Sequence, residues 1–146
     1  MKPRDRNAAI CGRIGATKSI MGHSILFVDD DFDTRALIKR ALELQDFEVV
    51  VVASSFEALE VVALRKFDAY LLDNWLPEMS GVELCLKLRE KDSDTPIVFL
   101  SGAGRYIDKV EALSAGANSY LTKPIDLDEL KVCLNELLYG TAGTTD

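Results

Sequence analysis

Four apolar runs in this 146-residue chain each stop at residues that can do polar chemistry. Ser24–Val28 runs into Asp29, Asp30 and Asp31, and Ala69–Leu72 into Asp73. Ile97–Leu100 runs into Ser101, and Asn118–Leu121 into Thr122, Lys123 and Pro124. If a fold gathers these ends, its carboxylates repel by kilocalories at low effective dielectric. They stay ionised only with positive charge among them. Mg²⁺ is the natural counterion, because it takes hard oxygen ligands and keeps some of its waters. Lys123 supplies a second cation that can meet a carboxylate or an incoming phosphate. A carboxylate held in this way can act as a nucleophile toward a phosphoryl donor. Metal and lysine would neutralise the transferring oxygens, and the Ser101 hydroxyl would donate a hydrogen bond to the group once attached. The chemistry expected is phosphorylation of Asp73.

Residues so distant in sequence need a scaffold that converges them, and the pattern supplies one. Ser24–Val28 reads as a buried strand. Thr34–Leu44 places Leu37, Ile38, Ala41 and Leu42 on one helical face. Glu48–Val52 is β-branched and reads as a strand. Ser54 or Ser55 can cap a helix carrying Phe56, Leu59, Val62 and Ala63. After Ala69–Leu72, Pro77 to Gly81 breaks the chain, and Val82, Cys85, Leu86 and Arg89 mark a third helix, widened by Leu84 and Leu88. Ile97–Leu100 is a fourth strand, followed by the flexible Gly102-Ala103-Gly104 loop. Ile107, Val110 and Leu113 mark a helix closed near Gly116, Asn118–Leu121 is a fifth strand, and Asp126 can cap a last helix through Leu138. Five β–α units predict an α/β, doubly wound parallel sheet with helices on both faces. Such sheets bind ligands at the carboxyl ends of their strands, where strand order switches.

Composition excludes several other classes. An apolar content of 48% is enough to bury a core. The net charge of −7 is uneven. Lys2, Arg4, Arg6, Arg13 and Lys18 against Asp5 give the first 22 residues +4 and leave −11 for the rest, a poor surface for nucleic acid. Cys11, Cys85 and Cys133 show neither a disulfide framework nor metal-ligand spacing, which fits a reducing cytosol. The single histidine, His23, cannot build a histidine-based zinc site. No run of 18 apolar residues spans a membrane, and no secretory signal is evident. Residues 1–22 read as a flexible extension, with Met21 an alternative start, 23–140 as one domain, and 141–146 as a disordered tail.

Four motifs carry a resemblance: ILFVDDD (25–31), YLLDNWLPEMSG (70–81), IVFLSGAG (97–104) and GANSYLTKP (116–124). Each is weak alone, but in this order, each at a strand end, they resemble the receiver domain of two-component response regulators over roughly residues 24–138. The resemblance implies a flavodoxin-like sheet of order 2-1-3-4-5. It implies Asp73 as phosphoacceptor, and Mg²⁺ held by Asp29, Asp30, Asp73 and the backbone carbonyl of Trp75. Ser101 and Lys123 would stabilise the phosphoryl group, Ser101 and Tyr120 would switch with it, and the Lys123–Pro124 bond would be cis. Asp31 and Asp33 read instead as capping or solvated residues of the first helix. Trp75 and Ala103 resemble the residues flanking the path of hydrolytic water, and neither side chain is suited to orient it, so a long-lived aspartyl phosphate is expected.

The implied partners are a histidine kinase or histidine phosphotransfer protein and a downstream protein target, with no direct nucleic acid or membrane contact. In the resembling family, phosphorylation commonly promotes pairing of two copies through helix 4, strand 5 and helix 5. The chain ends soon after its last helix, so output is expected through a partner. It is expected to be cytoplasmic, and not an enzyme beyond catalysing its own phosphorylation and dephosphorylation. Two other readings stand beside this. Asp31-Phe32-Asp33-Thr34 shares paired aspartates and a threonine with haloacid-dehalogenase-type phosphatases, though the chain is too short for a substrate-capping insertion. A pseudo-receiver, binding without phosphate, is the third.

Overall fold

The computed structural model describes residues 22–102 and 104–140. Expectations placed on residues 1–21, on Ala103 and on 141–146 lie outside these residues. Five strands alternate with five helices: β1 Ser24–Val28, α1 Phe32–Glu43, β2 Glu48–Val52, α2 Ser55–Val62, β3 Ala69–Leu72, α3 Gly81–Lys91, β4 Ile97–Ser101, α4 Tyr106–Ser114, β5 Ser119–Thr122 and α5 Leu127–Tyr139. All pairings are parallel, in the order β2-β1-β3-β4-β5. This is the flavodoxin-like architecture expected, and its topological switch lies between β1 and β3.

Side chains on a strand alternate between faces, so each central strand feeds two cores. Leu26 and Val28 of β1 join Leu72, Phe99, Ala58, Leu84, Leu88 and Ala112 under α2, α3 and α4. Ile25 and Phe27 join Leu71, Val98, Leu100, Ile38, Leu42, Leu130 and Leu134 under α1 and α5. Each such Val, Leu, Ile or Phe side chain, when fully buried, contributes about 1.5–3 kcal/mol. β1, β3 and β4 are buried along their whole length, while edge strand β2 is only partly covered. Among the described residues no helix is long and apolar enough to cross a membrane.

Several boundaries differ from the sequence reading. α1 starts at Phe32 rather than Thr34, because Asp31 accepts from the Thr34 N–H and closes the first turn. Ser101 belongs to β4 itself, paired with Thr122. β5 starts at Ser119, and Asn118 instead turns its side-chain oxygen to the Ile97 N–H at 2.9 Å. Leu37, Phe56 and Leu86, assigned to buried helix faces, are exposed. Ile38, Ala58 and Cys85, one or two positions along, are the residues that meet the sheet. α3 opens with a capping box in which Ser80 and Glu83 satisfy each other's backbone N–H groups.

Gly81 joins this scaffold to the site. A Cβ there would lie 2.3 Å from the Asp73 carbonyl oxygen and 2.9 Å from the Asn74 Cα. Neither is the end of a flexible side chain, so the backbone would have to move. Gly81→Ala is therefore expected to destabilise the fold by about 2–3 kcal/mol in urea unfolding.

Candidate functional site

Asp29 follows β1 and Asp73 follows β3, on adjacent strands. The ladder continues just far enough to fix both. The Asp29 N–H donates to the Val52 carbonyl at 3.2 Å and the Asp73 N–H to the Val28 carbonyl at 2.9 Å. Asp29 is fully buried and Asp73 is 5% exposed, while Asp30 faces solvent. One carboxylate oxygen from each of Asp29, Asp30 and Asp73 falls within 4.8 Å of the other two. Of the acids at 29–33 and 73, Asp31 and Asp33 are outside this group. Asp31 caps α1, where the Thr34 hydroxyl and N–H hold its carboxyl below the usual range, and Asp33 is exposed in the first turn.

Each carboxylate is held by directed donors. Asp29 Oδ1 accepts from the Asp31 N–H at 2.8 Å, and Oδ2 from Lys123 Nζ at 2.8 Å. Arg35 Nη1 donates to the Asp29 carbonyl at 2.7 Å. Asp73 Oδ1 accepts from the Trp75 N–H at 3.3 Å. Lys123 Nζ lies 3.7 Å from Asp73 Oδ2, so it contacts both acids but sits nearer Asp29. Of its two ion pairs, the one with Asp73 is the longer. The fully buried Asp29 has lost all of its hydration and has the stronger claim on the ammonium.

These surroundings perturb Asp73. Burial pushes its carboxyl above the usual range. Lys123 opposes this, Asp29 pushes it higher still, the Trp75 N–H lowers it, and Asp30 raises it. Asp73 is therefore an acid that benefits from more positive charge than one lysine provides. Three hard oxygen donors at this spacing, with waters able to complete an octahedron, fit Mg²⁺.

The remaining predicted residues line the neighbouring strands. Ser101 is fully buried at the tip of β4, its carbonyl accepting the Lys123 N–H at 2.8 Å. The Lys123–Pro124 bond is cis. Tyr120 is 9% exposed and stacks on Phe99, with centroids 6.0 Å apart and planes 12° from parallel. The Trp75 ring is 55% exposed, so it stands out from the fold and not over a closed pocket. Sequence reasoning missed Arg35 as a brace for the Asp29 backbone, since a lone arginine on a helix gives no sign of its target. It also missed Ser55, whose hydroxyl donates to the Met79 carbonyl at 2.8 Å and ties α2 to the turn before α3.

Known proteins resemble this chain in sequence and fold. The response regulator receiver domain, as a family, matches residues 25–135. The transcriptional regulatory protein SrrA of Staphylococcus aureus is 37% identical over 125 residues, 86% of this chain and 52% of SrrA. The chain thus spans about half the length of that curated relative. The receiver domain of the Francisella response regulator 1452 is 31% identical, with a TM-score of 0.76 over 81% of this chain and 98% of that one. The receiver domain of the sensor histidine kinase PA1611 from Pseudomonas aeruginosa is 28% identical, with a TM-score of 0.75 over 80% and 98%. Its structure has a magnesium ion coordinated in the active-site cleft.

Proposed function

Because the chain belongs to the response regulator receiver family, we propose that it is a phosphorylation switch in which Asp73 accepts a phosphoryl group from a histidine kinase or histidine phosphotransfer protein. The observation that carries this is the meeting of three carboxylates and Lys123 at the β1/β3 switch point. In the transfer, a carboxylate oxygen of Asp73 bonds to phosphorus as the phosphorus–nitrogen bond to the donor histidine breaks. The nitrogen keeps the electron pair and takes up a proton. Asp29, Asp30, Asp73 and the Trp75 carbonyl are the residues that would hold Mg²⁺, which supplies charge neutralisation to the phosphoryl oxygens.

The chain's own groups do the rest. Lys123 leans from Asp29 toward the new negative charge, and the Ser101 hydroxyl donates to a phosphoryl oxygen. The β4–α4 segment follows Ser101, Tyr120 repacks beneath α4, and the surface of α4, β5 and α5 changes for a protein target or a second copy. On this reading the only reactions catalysed are at Asp73 itself: its phosphorylation, and hydrolysis in which water returns the carboxylate and releases phosphate. A cytoplasmic setting follows from a kinase partner of this kind.

The test is intact mass spectrometry after treatment with acetyl phosphate and Mg²⁺. One added phosphoryl group, lost on adding a chelator beforehand, is the expected result. An unchanged mass with Mg²⁺ present would sink the reading.

A further inference from the structure

α3 and α4 are in contact, and between them runs an open groove of about 610 Å³. Its apolar surface comes from Trp75, Val82 and Leu86. The Trp75 ring is 55% exposed and Leu86 is 50% exposed, so two large side chains stand in water along one groove. Single exposed apolar residues need no explanation, but a shared apolar groove marks a place where something binds.

A buried polar group opens onto the same groove. Asn74 follows Asp73 directly, lines the groove and is 5% exposed. Its backbone carbonyl accepts the Gly81 N–H at 3.0 Å, so the group it has left to offer is its carboxamide. Among the described residues that carboxamide makes no hydrogen bond. A buried amide without a partner costs stability, and a ligand that completes its bonds recovers that cost. A carboxamide both donates and accepts, which matches the N–H and C=O of a peptide main chain.

The groove is also acidic. No lysine or arginine lines it, while Glu83, Asp108 and Glu111 do. Asp108 is buried and already neutralised, since Arg105 Nε donates to its Oδ2 and Nη2 to its Oδ1, both at 2.9 Å. Glu83 gives one oxygen to the Ser80 N–H. Glu111 is exposed, and the cation whose charge it favours, Arg105, is committed to Asp108. Positive charge beside apolar surface is what complements such a groove. It is separate from the α4–β5–α5 surface considered above, because the exposed Tyr106, Ile107 and Leu113 of α4 do not line it.

We propose that this groove docks an extended segment of a partner protein in which an aliphatic side chain lies close to a lysine or arginine. The aliphatic group packs on Trp75 and Leu86, the cation faces Glu111, and a main-chain peptide group pairs with the Asn74 carboxamide. A helix does not satisfy Asn74, because its own peptide groups are already bonded to one another. A small molecule would leave much of its surface in water in so open a groove. Docking here does not depend on whether Asp73 accepts a phosphoryl group.

The test selects random short peptides, displayed on phage, against the full chain without a phosphodonor. Synthetic hits are then titrated by the fluorescence of Trp75, the one tryptophan in the chain. The hits should carry Leu, Ile or Val near Lys or Arg and should change the Trp75 signal. Asn74→Ala and Glu111→Lys should each weaken them about tenfold, the size of losing one important interface contact. Glu111 is an exposed helix position, so Glu111→Lys is expected to fold and decides the matter even if Asn74→Ala does not. Hits that bind either folded variant as tightly as wild type overturn the proposal, as does a library that yields none. A dimer of the chain alone that Glu111→Lys dissolves in sedimentation would assign the groove to a second copy, and would overturn it too.

Discussion

Asp73→Asn is expected to abolish phosphoryl uptake completely while making the fold more stable by about 1–2 kcal/mol at neutral pH. The first effect follows from losing the nucleophilic oxygen. The second follows from burial, which pushes the Asp73 carboxyl above its usual value of 3.8, an effect that Asp29 and Asp30 reinforce and Lys123 and the Trp75 N–H only partly offset. Between the unfolded and folded titration points, the folded chain holds a proton that the unfolded chain has lost. Stability therefore falls as pH rises through that interval and stays lower at neutral pH. Asparagine removes this dependence. Its advantage should be full at pH 7 and should vanish below the unfolded titration point, where both states of wild type are protonated. Thermal unfolding at both pH values checks this, with a shift of about 4 °C expected at pH 7. Equal melting points at pH 7 would show that Lys123 already compensates the buried charge. Mg²⁺ should raise the wild-type melting point more than the variant's, since a neutral amide offers the ion a weaker ligand than a carboxylate.

Lys123→Ala should also impair phosphoryl uptake but, unlike Asp73→Asn, should weaken the fold. Asp29 is fully buried and would keep only the Asp31 N–H among its two side-chain donors, having lost the ammonium at 2.8 Å. Removing one partner of a buried pair costs about 3 kcal/mol or more. Labelling by acetyl phosphate should slow about a hundredfold, the usual loss when one transition-state charge stabiliser is removed. Mg²⁺ affinity should hold or rise, because the carboxylates lose a competing cation. A parallel fall in labelling and in Mg²⁺ affinity would mean that Lys123 organises the metal ligands and does not serve the phosphoryl group. Titration of Mg²⁺ by calorimetry, beside the labelling rate, separates the two outcomes.

The strand ends were legible in the sequence because a parallel strand buried on both faces must be apolar along its length. Its end is then marked by the abrupt change to Asp29, Asp73, Ser101 or Lys123. Helix faces were harder to read. Leu37, Phe56 and Leu86 satisfied the helical repeat, yet each lies beside the stripe that meets the sheet. An apolar repeat gives the period but fixes its phase poorly when neighbouring positions are also apolar. The S-x-x-E signature at Ser80 and Glu83 was available and overlooked among the chain-breaking residues around Pro77. The preference of Lys123 for Asp29 was not available, because it depends on a difference in burial between two acids that look alike in sequence. Arg105 was equally silent. A charged loop residue has no periodicity, and only the fold shows that Asp108 is buried beneath it.

The buried central strands have one more consequence, for the chain before it folds. Ile25–Val28, Ala69–Leu72 and Ile97–Leu100 are short, uncharged and rich in β-forming residues, the kind of segment that stacks between chains when exposed. Asp29 and Asp73 close two of them with a negative charge, in the place where gatekeeper residues guard such segments against self-association. Asp73, whose buried charge weakens the finished fold, would thus join Asp29 in protecting the nascent chain from aggregation.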